Sequence, residues 1–278
     1  MAVNLEQELQ QGRAQLRFQP VPKRVRVLAG DVVVADTTAP VLVWEPRRVV
    51  PQYAVPAADV LVPVRPSAAP EDAQEKPVPL GGGSPVLDPR TGFAAHTAPG
   101  SAVSLDVGDA TLHGVGFRPD DPDLGDLVVL DFAAFSWLEE DEPVVGHPRD
   151  PYHRIDIRAS SRAVRVSRGD LLLAESTRAR FLFEGVLPVV RYYLPREDVA
   201  VDLVRSDHRT TCAYKGHATH WSVDSDPDLQ SIAWTYEEPL FDALPVAGLV
   251  AFYTERLDLA IDGTPLPRPV TPWSRRDA

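Results

Sequence analysis

The chain has 278 residues, a net charge of −12 and a pI near 5.0, with 44% hydrophobic and 24% charged residues. That length leaves room for two domains of ordinary size. The acidic balance argues against nucleic-acid binding and against docking on an anionic membrane. No stretch approaches the roughly 20 apolar residues of a spanning helix. The N-terminus lacks the basic and apolar regions of a signal peptide, so the cytoplasm is the simplest expectation. Cys212 is the only cysteine, which excludes an intrachain disulfide and a cysteine zinc cage.

In chain order, residues 4–13 predict a short helix, capped by Asn4 and ended by Gly12. From there the pattern is strand-like. Val25–Leu28, Gly30-Asp31 and Val32–Ala35 predict a hairpin. Val164–Val166, Gly169-Asp170 and Leu171–Ala174 predict a second. Further β-rich runs lie at 41–44, 180–183, 189–193, 248–253 and 256–261. Long helical periodicity is absent, and 28 prolines suit short strands joined by turns. Residues 61–100 are rich in Pro, Ala and Gly, with Gly81-Gly82-Gly83-Ser84 at the centre, and predict a loop or mobile excursion.

The two hairpins belong to an internal repeat. At an offset of 139, residues 26–60 overlay 165–199, matching Gly30-Asp31 with Gly169-Asp170, Glu45 with Glu184, Tyr53 with Tyr192 and Asp59-Val60 with Asp198-Val199. A second block overlays at an offset of 102, putting Gly114 on Gly216, Pro143 on Pro245, Arg154 on Arg256 and Asp156 on Asp258. The difference of 37 residues is an insertion in the first copy. The expected organisation is a lead-in over 1–22, a first β domain over 23–158 carrying the insertion at about 61–100, and a second β domain over 159–278.

Only three of the 28 basic residues are lysines, a bias expected of a GC-rich bacterial genome. One of them, Lys215, stands in the densest polar stretch, Ala213-Tyr214-Lys215-Gly216-His217-Ala218-Thr219-His220-Trp221. Read as a strand, it places Lys215, His217 and Thr219 on one side and Tyr214, Ala218 and His220 on the other, with a bulge at Gly216. Desolvation would lower a lysine pKa toward that of a nucleophile; kept charged, it would anchor a phosphate or carboxylate. A solvated edge strand, with Trp packed over the Lys stem, explains the same residues. On the 102 offset, the first copy has Leu112-His113-Gly114 there and keeps only the glycine.

Candidate catalytic residues are therefore Lys215, His217, His220 and Tyr214, with Glu184 as partner to Lys215 or as general base. Tyr192, Trp221, Trp234 and Arg191 are the candidate ligand-binding residues. Glu45, the counterpart of Glu184 in the bare copy, favours a structural role for that glutamate. His147 and His153 with nearby carboxylates raise a metal reading, which competes with a salt-bridged clasp of Arg149, Asp150, Arg154 and Asp156 between the domains. No metal ligands are assigned. No Walker, dinucleotide or Gly-x-Ser-x-Gly motif occurs, so no cofactor is expected.

Val164-Arg165-Val166 with Ala174-Glu175-Ser176, Tyr192-Tyr193-Leu194-Pro195-Arg196-Glu197-Asp198-Val199, Tyr214-Lys215-Gly216 with Ala218 and Trp221, and the His147–Arg154 run together resemble the DUF427 family in a tandem two-domain bacterial form. Its members usually carry an aromatic before the tryptophan, where this chain has His220. The resemblance implies a mainly β fold, two modules of short antiparallel strands similar to β-tents, without zinc. The family also bears a nucleotidyltransferase label, which these residues do not support, since no paired aspartates follow a Gly-Ser. Two functions stay open: a small-molecule site in the second domain around Lys215, taking an anionic or carbonyl-containing ligand, with or without catalysis; and a non-catalytic scaffold that binds a protein partner. Substrate and oligomeric state are not legible.

Overall fold

A computed structural model describes residues 2–68, 77–80, 84–185 and 189–274. The chain is mainly β, built from antiparallel sheets. Two compact units divide at Asp150 and Pro151, with Pro79 and Leu80 grouped with the second. This boundary precedes the expected one because residues 155–159 form a strand that pairs with 180–184, inside the second unit. Gly81-Gly82-Gly83 lie outside the described residues.

The expected helix is α1 (Leu5–Gly12), with Asn4 Oδ1 accepting from Gln7 N at 3.3 Å. The first unit then contributes β1 (Arg17–Pro20), β2 (Val25–Ala29), β3 (Val32–Thr37), β4 (Val41–Trp44), β5 (Gln52–Pro56) and β6 (Val64–Pro66). There follow β7 (Pro77–Val78), β8 (Val86–Leu87), β9 (Gly100–Val107), β10 (Ala110–Pro119), β11 (Leu127–Leu130), β12 (Ser136–Glu139) and β13 (Glu142–Pro143). Its larger sheet has the order β1-β4-β5-β11-β10-β9-β6, and its smaller sheet β13-β12-β2-β3.

The second unit contributes β14 (Ile155–Ala159), β15 (Val164–Arg168), β16 (Leu171–Ser176), β17 (Arg180–Glu184), β18 (Arg191–Leu194) and β19 (Leu203–Cys212). It continues with β20 (Gly216–Val223), β21 (Ala233–Thr235), β22 (Val250–Phe252), β23 (Asp258–Ile261) and β24 (Thr264–Leu266). Its sheets run β14-β17-β18-β22-β21-β20-β19 and β16-β15-β23-β24. Both predicted hairpins are present, as β2–β3 and β15–β16. Val25, Val27, Val164 and Val166 are fully buried while their strand neighbours are not, the alternation of a sheet with one covered face.

The registers match the units strand by strand. Ala54, Val129, Phe117 and Ala102 form one cross-strand row in the first unit. Tyr193, Ala251, Trp234 and His220 form the same row in the second. The 102 offset is thereby corrected: β20 matches β9, not β10, so the place of Lys215 is taken by Thr97 rather than His113. The misleading overlay rested on isolated Gly, Pro, Arg and Asp identities, and Gly114 lies inside β10 while Gly216 opens β20.

The insertion is also more than a loop where it is described. Val86, Leu87, Phe93, Ala95 and Ala98 are buried, and β7 pairs with β8. Phe93 and Ala98 pack with Val41, Ala54, Phe117 and Val129 in an apolar cluster on the larger sheet. Arg48 holds the segment in place, donating to the carbonyls of Gly92 and Ala95 at 2.9 and 2.8 Å.

Candidate functional site

Lys215 lies in the turn between β19 and β20, not on a strand as expected. Gly216, at φ +94°, makes that turn; a Cβ there would sit 3.4 Å from Leu240, and a side chain would be strained whatever the room. The turn carries Lys215 inward, where its ammonium pairs with the carboxylate of Glu184 at the end of β17. Both side chains are buried. Burial is the largest influence and works to lower the Lys215 pKa, but the charge and hydrogen bond of Glu184, with Cys212 and Tyr193, together outweigh it, and the net shift is upward. For Glu184 burial works upward and is again the largest influence; the charge and hydrogen bond of Lys215, with His153 and Arg191, together outweigh it, and the carboxyl falls below the ordinary glutamate range. The pair is therefore ionic, and Lys215 is an ammonium rather than an amine nucleophile.

Matching positions in the first unit perform the same task with different chemistry. Glu45 accepts from the backbone N–H of Thr97 at 2.7 Å and of Ala98 at 3.0 Å, and its Oε1 lies 3.0 Å from His96 Nδ1. Burial raises its pKa, but His96 and these backbone donors outweigh it and hold the carboxyl below its ordinary value. The His96 ring stacks on Phe117 at 3.7 Å.

A second buried ion pair lies in the second unit. Arg191, on β18, forks onto Glu255 with bonds of 2.8 and 2.7 Å, and Thr271 Oγ1 donates to Glu255 at 2.6 Å. The guanidinium carbon lies 5.4 Å from the Trp234 ring centroid, 6.0 Å from Tyr253 and 5.6 Å from Trp273. Trp234 Nε1 donates to Tyr193 Oη at 3.2 Å. Burial pushes the Tyr193 hydroxyl up to about 12, partly opposed by Lys215.

His220 is 1% exposed, with Nε2 2.9 Å from Thr210 Oγ1 and no hydrogen-bond partner for Nδ1 among the described residues. Burial, with the charge of His208 and Arg209 acting the same way, lowers its pKa to about 3, so the ring is neutral at pH 7. The His208 ring meets it edge-on at 4.4 Å.

His208 leads to an open cleft of about 290 Å³, lined by His208, Pro227, Gln230, Ser231, Tyr253, Arg256 and Trp273. Arg256 lies over the Tyr253 ring at 4.5 Å. Tyr253 packs on Trp234 at 4.6 Å, so Trp234, Arg191 and His220 stand directly behind the lining.

The remaining predicted residues lie elsewhere. His217 is exposed and bonded to Thr211 at 2.9 Å, because it alternates with the inward-facing Ala218. Trp221 follows His220 and takes the opposite face, with Arg196 over its ring at 4.1 Å. Tyr192, between Arg191 and Tyr193, also takes the opposite face and packs edge-on against Phe181 at 4.7 Å. Tyr214 packs against His153 at 4.3 Å. Arg154 and Asp156 pair within the second unit at 3.4 Å. Among the described residues no group of three or more His, Cys, Asp or Glu side chains is placed to hold a metal ion, and no helix is long and apolar enough to cross a membrane.

Sequence reasoning missed Tyr253, Arg256, Trp273, His208 and Gln230. The one signal was the Tyr253-Thr254-Glu255-Arg256 run, where a charged pair interrupts two β-rich stretches.

No curated protein matches the chain. The profile of the family NTP_transf_9, described as Domain of unknown function (DUF427), matches residues 17–73 and 156–263. These two stretches take in the paired glutamates Glu45 and Glu184, the Lys215 turn and Arg256, and cover more than half the sequence: the chain belongs to the DUF427 family.

Proposed function

We propose that the second unit binds a small anionic molecule in the cleft beside Tyr253, anchored by Arg256. One observation carries this reading. In a chain with 40 acidic residues, no carboxylate is among the described residues that line the cleft, while an arginine is. Among its acidic neighbours, Glu255 turns inward to Arg191, and Asp226 and Asp228, which flank Pro227, pair with Arg168. A guanidinium beside His208, Gln230 and Ser231 suits a carboxylate or phosphate.

Lys215 is not among the residues that line the cleft. Its ammonium is committed to Glu184, so neither ligand anchoring nor Schiff-base chemistry is assigned to it. Binding without catalysis is the reading we favour. The matching strand orders further support an origin of both units in one duplicated module, with the first unit now structural.

A thermal-shift screen tests the proposal, using nucleotides, sugar phosphates, aldehydes and small carboxylates against wild type and Arg256→Gln. Stabilisation of wild type alone by an anionic class is expected, by a few degrees at saturation. A response to aldehydes that Lys215→Met abolishes would return the chemistry to Lys215. Silence across the panel would favour the scaffold reading.

A further inference from the structure

We infer that Trp273 sets the ligand class of this cleft and selects a planar aromatic carboxylic acid of one or two rings. The inference rests on the anion reading above. Of the rings that line the cleft, Tyr253 and Trp273 both pack on the guanidinium of Arg191. That guanidinium is fixed by two bonds to Glu255 and by contact with Trp234. Both rings are therefore held before any ligand enters, which reduces the ordering cost of binding.

Trp273 arrives on a short helical turn, Pro272–Ser274, beyond the residues that match the family profile. Thr271 locks this turn. Its hydroxyl donates to Glu255 and accepts from Trp273 N at 3.2 Å, and its own N–H donates to Ser274 Oγ at 3.0 Å. One hydroxyl thus ties the wall of the cleft to the buried ion pair. The same carboxylate of Glu255 orients Arg191 under Trp273 and Tyr253.

Size narrows the class further. A cleft of about 290 Å³ stands at the lower end of the roughly 300–1,000 Å³ of ordinary ligand sites. That accommodates one or two fused rings with a carboxylate. Rigid ring walls reward a flat partner, and the Arg256 fork rewards a carboxylate on its edge.

The test is calorimetric titration of benzoate and cyclohexanecarboxylate, which share charge and size but differ in planarity. Wild type is expected to prefer benzoate about three- to tenfold, the range of one favourable ring–ring contact. Trp273→Leu should bring the two acids to equal affinity while still binding both. Trp273→Phe, which keeps a ring on Arg191, should retain the preference and covers the case in which the leucine variant does not fold. Equal binding of both acids by wild type, or an undiminished preference in Trp273→Leu, would overturn the role of Trp273 and leave the anion reading standing. Failure of wild type to bind either acid would overturn the carboxylic-acid class, while the anion reading would fall only if the phosphates and nucleotides of the thermal-shift screen were also silent.

Discussion

One row of the larger sheet reads Val41, Ala54, Val129, Phe117, Ala102 in the first unit and Arg180, Tyr193, Ala251, Trp234, His220 in the second. The first unit covers this face with its own insertion: Phe93 and Ala98 pack against it, and Arg48 fastens their segment. An apolar face covered by chain needs no further partner. The second unit fills the equivalent region with Tyr193, Trp234, Arg191 and Lys215, whose polar atoms need partners of their own. Glu184 and Glu255 provide them for the two cations. The polar residues of the second unit thus divide in two. Some satisfy one another inside, and Arg256 lines an opening.

The comparison can be broken hardest at Lys215. Replacing it with Met leaves Glu184 buried without its cation, an expected loss of about 3–5 kcal/mol in urea unfolding of the second unit. Adding Glu184→Gln should restore most of that loss. A single variant as stable as wild type would show the pair to be dispensable.

In the first unit, Glu45→Gln is expected to cost less, about 1–3 kcal/mol, because the amide oxygen still accepts from Thr97 and Ala98. A loss equal to that of Lys215→Met would erase the contrast between the two glutamates.

His220 sharpens it at another level, since its counterpart is Ala102. Its folded pKa, about 3, lies below the ordinary 6.5, so the unfolded state binds the extra proton first. Stability should be full above pH 6.5 and fall as pH drops toward 3. By pH 5 the loss is on the order of 1–2 kcal/mol, from about 1.4 kcal/mol per unit. In His220→Gln the urea midpoint should lose most of this slope between pH 7 and 5. An unchanged slope would assign it to other groups. Below that window Glu45, Glu184 and Glu255, all depressed, lose their contributions as pH falls past the usual carboxylate range.

The smallest effect belongs to His217→Ala. Its exposed side chain bonds only Thr211 among the contacts seen, and the change in stability should stay within about 0.5 kcal/mol with ligand binding intact. Lost binding would move the site to the outer face of β20.

The hairpins, the helix at Leu5–Gly12 and the pairing of Glu184 with Lys215 were legible because each follows from local pattern or from a single conspicuous residue. Glu45 and Glu184 were found by the 139 offset, where the hairpin strands β2 and β3 have the same lengths as β15 and β16. The second offset failed because hairpin and turn lengths differ: β9 and β10 span eight and ten residues, whereas β19 and β20 span ten and eight. The cleft was not legible. Its lining comes from His208, Gln230, Tyr253, Arg256 and Trp273, brought together by sheet pairing and by the Thr271–Glu255 bond across distant stretches of sequence. Nor does a period-2 reading hold through a turn, which is why Lys215 and His217 part company after Gly216.

The division between inner pair and open cleft is tested most directly by calorimetric titration of benzoate into wild type, Arg256→Gln and the folded double variant Lys215→Met with Glu184→Gln. Binding lost in Arg256→Gln and kept in the double variant is the predicted result. Binding kept in Arg256→Gln and lost in the double variant would place the ligand at Lys215 and contradict the account.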